Sequence, residues 1–158
     1  MGFAHARPGS ADFRVSSQSN QRGNMFKRIE YKKLNSKQQE NYNFHKIASR
    51  LADYGYNSIL LSDDWEGADF IACHINGKDF LKVQLKGRMV VDKKYLGKDI
   101  FIACRYNDKW YLYPHDKILN ALFEQDLIKD TKSWEEKGNY SWPRLTKTIE
   151  SLISVYKI

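Results

Sequence analysis

The sequence predicts an α/β layer domain in which helices cover a mixed β-sheet, and three features carry that prediction. Apolar residues recur at helical spacing after residue 36, apolar β-like runs divided by turn dipeptides fill residues 58 to 113, and helical spacing returns beyond residue 115. With 158 residues the chain suits one domain with a real core and has no room for two large ones. Its apolar runs fall short of the roughly 18–20 residues that a membrane-spanning helix needs. Gly and Pro are too sparse for a collagen-like chain.

Residues 1 to 24 hold Gly, Ser, Gln, Asn and Arg without a period able to bury a face, so a disordered tail is expected there and the domain over 25 to 158. The tail lacks the continuous apolar stretch of a secretory signal. Ser36-Lys37-Gln38-Gln39 has the form of a capping box, and Tyr42, Phe44, Ile47, Ala48, Leu51 and Ala52 follow at helical spacing until Gly55. Ser58 to Ser62 reads as a short strand. Two β runs, 69 to 75 and 78 to 86, flank Asn76-Gly77, the pair that most favours a two-residue type I′ hairpin. A second pair, Ile100 to Tyr106 and Lys109 to Tyr113, flanks Asn107-Asp108 and predicts that the sheet continues by antiparallel pairing. Ile118, Leu119, Leu122 and Phe123 mark a short amphipathic helix, Lys129 to Tyr140 reads as a loop, and Ser141-Trp142-Pro143 opens a last helix carrying Leu145, Ile149, Leu152, Ile153 and Tyr156.

Charge narrows the partner class. Lys and Arg outnumber Asp and Glu by 26 to 19, a net of +7, and between Lys78 and Lys109 nine basic residues face four Asp. Such a concentration suits a polyanion, although a solvated face is the commoner meaning of a charge run. Cys73 and Cys104 sit in apolar β runs and read as free thiols of a reducing interior, which places the protein in the cytoplasm; no His or Cys spacing suits structural zinc.

The hairpin brings chemistry together. Counted outward from a two-residue Asn76-Gly77 loop, opposed residues have numbers summing to 153, so Asp69 faces Gln84, and Lys86 joins Gln84 on the same face. Leu81, Val83 and Leu85 take the other face. Asp69 and the Gln84 oxygen can hold a hard cation such as Mg²⁺, and Lys86 can orient or help deprotonate a water for phosphodiester hydrolysis. Glu40 lies one turn before Phe44 on the core-facing stripe and looks inward.

With Glu40 on the first helix, Asp69 in Gly67-Ala68-Asp69-Phe70-Ile71, and Gln84-Leu85-Lys86 on the next strand, the chain resembles the PD-(D/E)xK nuclease superfamily, the restriction-endonuclease-like fold shared by archaeal Holliday-junction resolvases. The likeness extends over roughly Tyr31 to Asp116. The stretch from Tyr95 to Asp116 also looks like an uncharacterised bacterial branch of that superfamily. The resemblance implies a restriction-endonuclease-like mixed sheet flanked by helices, a DNA substrate and a Mg²⁺ or Mn²⁺ cofactor. It casts Glu40, Asp69 and Gln84 as metal ligands and Lys86 as the catalytic cation, and it permits a homodimer. The sequence departs from the family at Gln84, where an acid is the common residue, and an amide contributes no charge to a cation. Arg88, Lys93, Lys94 and Lys98 follow the motif and are expected to grip phosphates.

Plainer roles compete at each position. Glu40 is also a first-turn acid favoured by the helix dipole, Asp69 and Gln84 a cross-strand hydrogen-bonded pair, and Lys86 an edge-strand guard against aggregation. Asp63, Asp64 and Glu66 read as a solvated turn with ligand capacity in reserve, and His45 and His115 as structural histidines. Trp110, Tyr111 and Tyr113 fit a core better than a base-stacking platform. The function expected is metal-dependent hydrolysis of DNA phosphodiester bonds. The alternatives are a catalytically weak or inactive nucleic-acid-binding protein of the same fold, and an adaptor for an acidic protein.

Overall fold

Asn35 opens the first helix. Its Oδ1 accepts the Gln38 N–H while Gln38 Oε1 accepts the Asn35 N–H, both at 2.9 Å, so the capping box stands one residue before the expected Ser36–Gln39 pair. Helix α1 (Ser36–Asp53) then buries Phe44, Ile47 and Leu51 on one stripe, as the spacing predicts. The structure is a computed structural model that describes residues 25 to 158; the tail over 1 to 24 lies outside the described residues. Residues 25 to 30 hold no helix or strand, and everything described below belongs to the unit Tyr31–Ile158.

The five-stranded mixed sheet has the order β1 (Tyr56–Trp65), β2 (Ala68–His74), β3 (Phe80–Lys86), β5 (Ile100–Tyr106), β6 (Lys109–Pro114). Neighbours are antiparallel except β3 and β5, which run parallel. The expectation of continued antiparallel pairing therefore fails at one joint. A parallel pair needs a crossover, and residues 87 to 99 supply it through β4 (Met89–Asp92) and a 3₁₀ turn at Lys93–Tyr95. β4 pairs with β7 (Asn139–Trp142) in a separate two-stranded ribbon.

The sheet divides two cores. Helix α1 covers Phe70, Ala72, Val83, Leu85, Ala103, Trp110 and Leu112. The opposite core gathers Ile102, Cys104, Tyr111 and Tyr113 with helix α2 (His115–Glu124), helix α4 (Lys147–Ile153), β4 and Trp134. Trp110, Tyr111 and Tyr113 are buried, which settles them as core. Burial pushes the Cys104 thiol up to about 12, and both cysteines are free. Among the described residues no helix is long and apolar enough to cross a membrane.

Three expectations about elements need correction. The Asn76-Gly77 turn is not a two-residue loop: the His74 N–H reaches Asp79 O at 2.9 Å, and residues 75 to 78 form a four-residue tip. Asn76 Oδ1 accepts the N–H groups of Lys78 and Asp79, and only Gly77 of the pair has positive φ. A local Asx turn has displaced type I′ geometry. The segment read as a loop holds helix α3 (Lys132–Lys137), capped by Thr131 and closed by left-handed Gly138, with Trp134 buried. Ser141-Trp142-Pro143 ends β7 rather than opening a helix; α4 begins at Lys147 behind the N-cap Thr146. The first strand is also longer than expected, with a register shift between Leu60 and Trp65.

Candidate active site

Where β2 and β3 separate, Asp69 fills the gap. The last paired residues are Phe70 and Val83. Beyond them Asp69 Oδ2 accepts the Leu85 backbone N–H at 2.7 Å and also the Gln84 side-chain Nε2–H. A carboxylate thus replaces a backbone acceptor, and both donors land on the same oxygen. The pairing still sums to 153, because a four-residue tip shares its midpoint with the two-residue turn. Asp69 and Gln84 consequently face each other as counted from sequence.

A cavity of about 290 Å³ opens over this pair and is lined by Glu40, Asp69, Gln84 and Lys86, together with Tyr31 and Asn43. Four side chains named from sequence therefore meet at one place. Glu40 is half-exposed and held by Lys37 at 2.7 Å, an i,i+3 pair on the first turns of α1. Gln84 is 9% exposed, so the amide at this position is buried against the carboxylate.

Burial dominates the electrostatics. It raises the Asp69 carboxyl above the ordinary 3.8; Glu40 and Asp64 add to the rise, while the Leu85 N–H and Lys86 oppose it. Burial likewise lowers the Lys86 ammonium below 10.5, and Lys94 deepens the shift against the pull of Asp69, Asp92 and Asp64. Both groups are pushed toward their neutral forms, the direction that burial gives to acid and base groups placed for proton transfer.

Tyr95 backs the site. Its ring lies 5.7 Å from Lys86 Nζ and 5.0 Å from Lys94 Nζ, and a Cβ on Gly67 would stand 2.9 Å from it. Among the expected phosphate contacts, Lys94 comes to the site, Lys93 leans on the Trp134 ring at 5.2 Å, and Arg88 and Lys98 are exposed. Asp64 receives the Gly67 N–H at 2.6 Å, the turn role expected of it. His115 is buried, with Nε2 accepting the Asp92 N–H at 3.0 Å and Nδ1 at 2.7 Å from Asp116. It is structural. His45 is exposed.

Sequence reading missed Tyr31, Asn43 and Tyr95. Asn43 did carry a signal: a polar residue on the core-facing stripe of α1, one turn after Glu40. Tyr95 carried none, since its place depends on the crossover.

Among the described residues no three His, Cys, Asp or Glu side chains cluster as a metal cage. Two carboxylates and an amide nonetheless fit Mg²⁺, a hard cation that keeps several waters and takes one or two carboxylates alongside substrate phosphate. An added cation would offset the burial that chiefly raises Asp69 and the smaller repulsion from Glu40 and Asp64 that adds to it.

No model of a known protein family matches the chain, and no curated protein matches it. It is similar to solved structures, two of which follow. One is a bacterial homing endonuclease, I-Ssp6803I, at 16% identity and a TM-score of 0.42, over 72% of this chain and 78% of that one. The other is Hjc of Archaeoglobus fulgidus, a Holliday junction resolvase from an archaeal hyperthermophile, at 13% identity and a TM-score of 0.43, over 70% and 91%.

Proposed function

We propose that Tyr31–Ile158 is a nuclease domain that hydrolyses DNA phosphodiester bonds with a divalent cation. The observation that supports it is the meeting of Glu40, Asp69, Gln84 and Lys86 around one cavity. Asp69 and Glu40 would hold Mg²⁺ or Mn²⁺ with help from the Gln84 oxygen. Bound there, such an ion polarises a phosphate oxygen and makes a water more acidic. Lys86, with its affinity for protons lowered by burial, orients that water or takes up its proton. Gln84 and the Leu85 N–H lock the Asp69 rotamer. Lys94, beside Tyr95, and the exposed Arg88 and Lys98 meet neighbouring phosphates.

Gln84 also favours a second reading, a DNA-binding protein without hydrolysis, because its amide supplies no charge and occupies Asp69 Oδ2. Purified protein incubated with plasmid, branched and single-stranded DNA in Mg²⁺, Mn²⁺ or EDTA separates the two. Hydrolysis reading: metal-dependent cleavage that falls by about 10²-fold or more in Asp69→Ala and Lys86→Ala. Cleavage of equal rate in EDTA and in both variants overturns it. Salt-sensitive binding without any cleavage establishes the second reading.

A further inference from the structure

A second cavity, of about 350 Å³, adjoins the first, and three residues line both: Tyr31, Asn43 and Gly87. Beyond this shared wall it is lined by Arg105, Tyr106 and the Asn107-Asp108 turn. The parallel pairing of β3 with β5 creates the juxtaposition. Lys86 aligns with Cys104, so Gly87, just past the end of β3, and Arg105, the next residue of β5, come to line one cavity.

Each wall has features of a ligand site. Arg105 lies 5.3 Å over the Tyr31 ring and is paired with Asp108, which itself is exposed; the guanidinium is thus oriented but not enclosed. Asn43, 7% exposed, gives its Nδ2–H to Tyr31 Oη at 2.9 Å and leaves Oδ1 without a partner among the described residues. A buried acceptor without a donor is costly unless something else supplies one. Tyr106 offers an aromatic face. At Gly87 a Cβ would meet nothing within 4 Å, and its φ lies outside the left-handed region, so backbone conformation does not require glycine. Gly87 lines both cavities, and a side chain added there would occupy open space at their shared wall.

We propose that one nucleic-acid strand runs through both cavities, crossing Gly87, with Arg105 gripping the phosphate next to the reacting one and Tyr31 and Tyr106 flanking its nucleotide. The inference rests on the function proposed above and adds a subsite to it. It concerns binding, so it is tested without hydrolysis. Fluorescence anisotropy of short labelled single-stranded and duplex DNA is measured in EDTA across a salt series, for the native chain, Gly87→Leu, Arg105→Ala and Lys94→Ala, with thermal melts of each. Arg105→Ala is expected to weaken binding and reduce the slope of log K against log salt by about 0.9, the share of one phosphate. Gly87→Leu is expected to weaken it by about tenfold or more with its melting temperature unchanged, since the added atoms meet no protein. Native-like affinity in both of those variants, with loss in Lys94→Ala, overturns the subsite and leaves the nuclease reading standing. Failure of the native chain to bind either DNA at low salt overturns both.

Discussion

Asp69 ties the fold to the proposed chemistry. In the folded chain it holds its proton more tightly than an ordinary aspartate at 3.8, chiefly through burial. Its contribution therefore favours the folded state below about that value and is lost as pH rises through the folded value. Asp69→Asn keeps the neutral form at every pH and keeps an oxygen for the Leu85 N–H. Thermal melts should show the variant equal to the native chain in strong acid and more stable at neutral pH, with the gap opening as pH climbs past the ordinary aspartate value of 3.8 and complete once it exceeds the higher folded value of Asp69. A variant less stable at neutral pH than in acid, relative to the native chain, contradicts the sign. Gln84→Glu tests the same pocket from the other side. It replaces a buried donor to Asp69 by a third carboxylate, so without metal the melting temperature should fall, a cost of about 1–3 kcal/mol for the repelled and unpaired groups. Millimolar Mg²⁺ should recover more stability in this variant than in the native chain, because binding to the folded state alone stabilises it. Equal Mg²⁺ responses would show that position 84 does not face the ion. Asp69, Gln84 and Lys86 were legible from sequence because strand periodicity and a symmetric hairpin place them. Tyr31 and Arg105 were not, since only the β3–β5 pairing and the approach of the 3₁₀ turn Tyr31–Lys33 before α1 bring them close.

Local turn chemistry explains which elements could be read and which could not. Asn76-Gly77 carries the strongest short hairpin signal in the chain, yet the type I′ geometry belongs to Asn107-Asp108, where both residues have positive φ and Tyr106 pairs with Lys109. At the first tip, Asn76 instead binds the N–H groups of Lys78 and Asp79 and widens the loop. The register survives because the widening is symmetric. Helix α3 was invisible to periodicity because six residues offer too few turns; it forms around the single anchor Trp134, stacked edge-on to Phe123 with centroids 5.3 Å apart. Helix α1 has the opposite character: a strong cap and a long apolar stripe. Asn35→Ala removes an acceptor from the Gln38 N–H and should cost about 1 kcal/mol in urea unfolding. The same change frays the first turn of α1, just before Glu40, so Mg²⁺-induced stabilisation should shrink with it. A loss of stability below about 0.3 kcal/mol would mean that another residue takes over the cap.

On the scale of the whole molecule, the net +7 matters through its placement. The basic run counted from sequence wraps the crossover, but the fold sorts it: Lys86 and Lys94 face the Tyr95 side of the candidate site, Lys93 is spent on Trp134, and Arg105 turns toward the second cavity. Charge count alone could not make that division, because strand alternation and the parallel joint decide it. Only a few cations are then positioned to displace counterions from a nucleic acid, and far more Lys lie elsewhere. Each phosphate neutralised contributes about −0.9 to the slope of log K against log salt. For the native chain on duplex DNA in EDTA, two to four such contacts predict a slope of about −2 to −3.5. Lys94→Ala should flatten it by about 0.9. Lys132→Ala, on α3, should leave it unchanged, since that side chain is 84% exposed, pairs with Glu136 at 3.8 Å and lines neither cavity. Equal losses from both substitutions would mean that the chain binds DNA through diffuse charge, and that the grouping of cations around Asp69 has no bearing on where a strand lies.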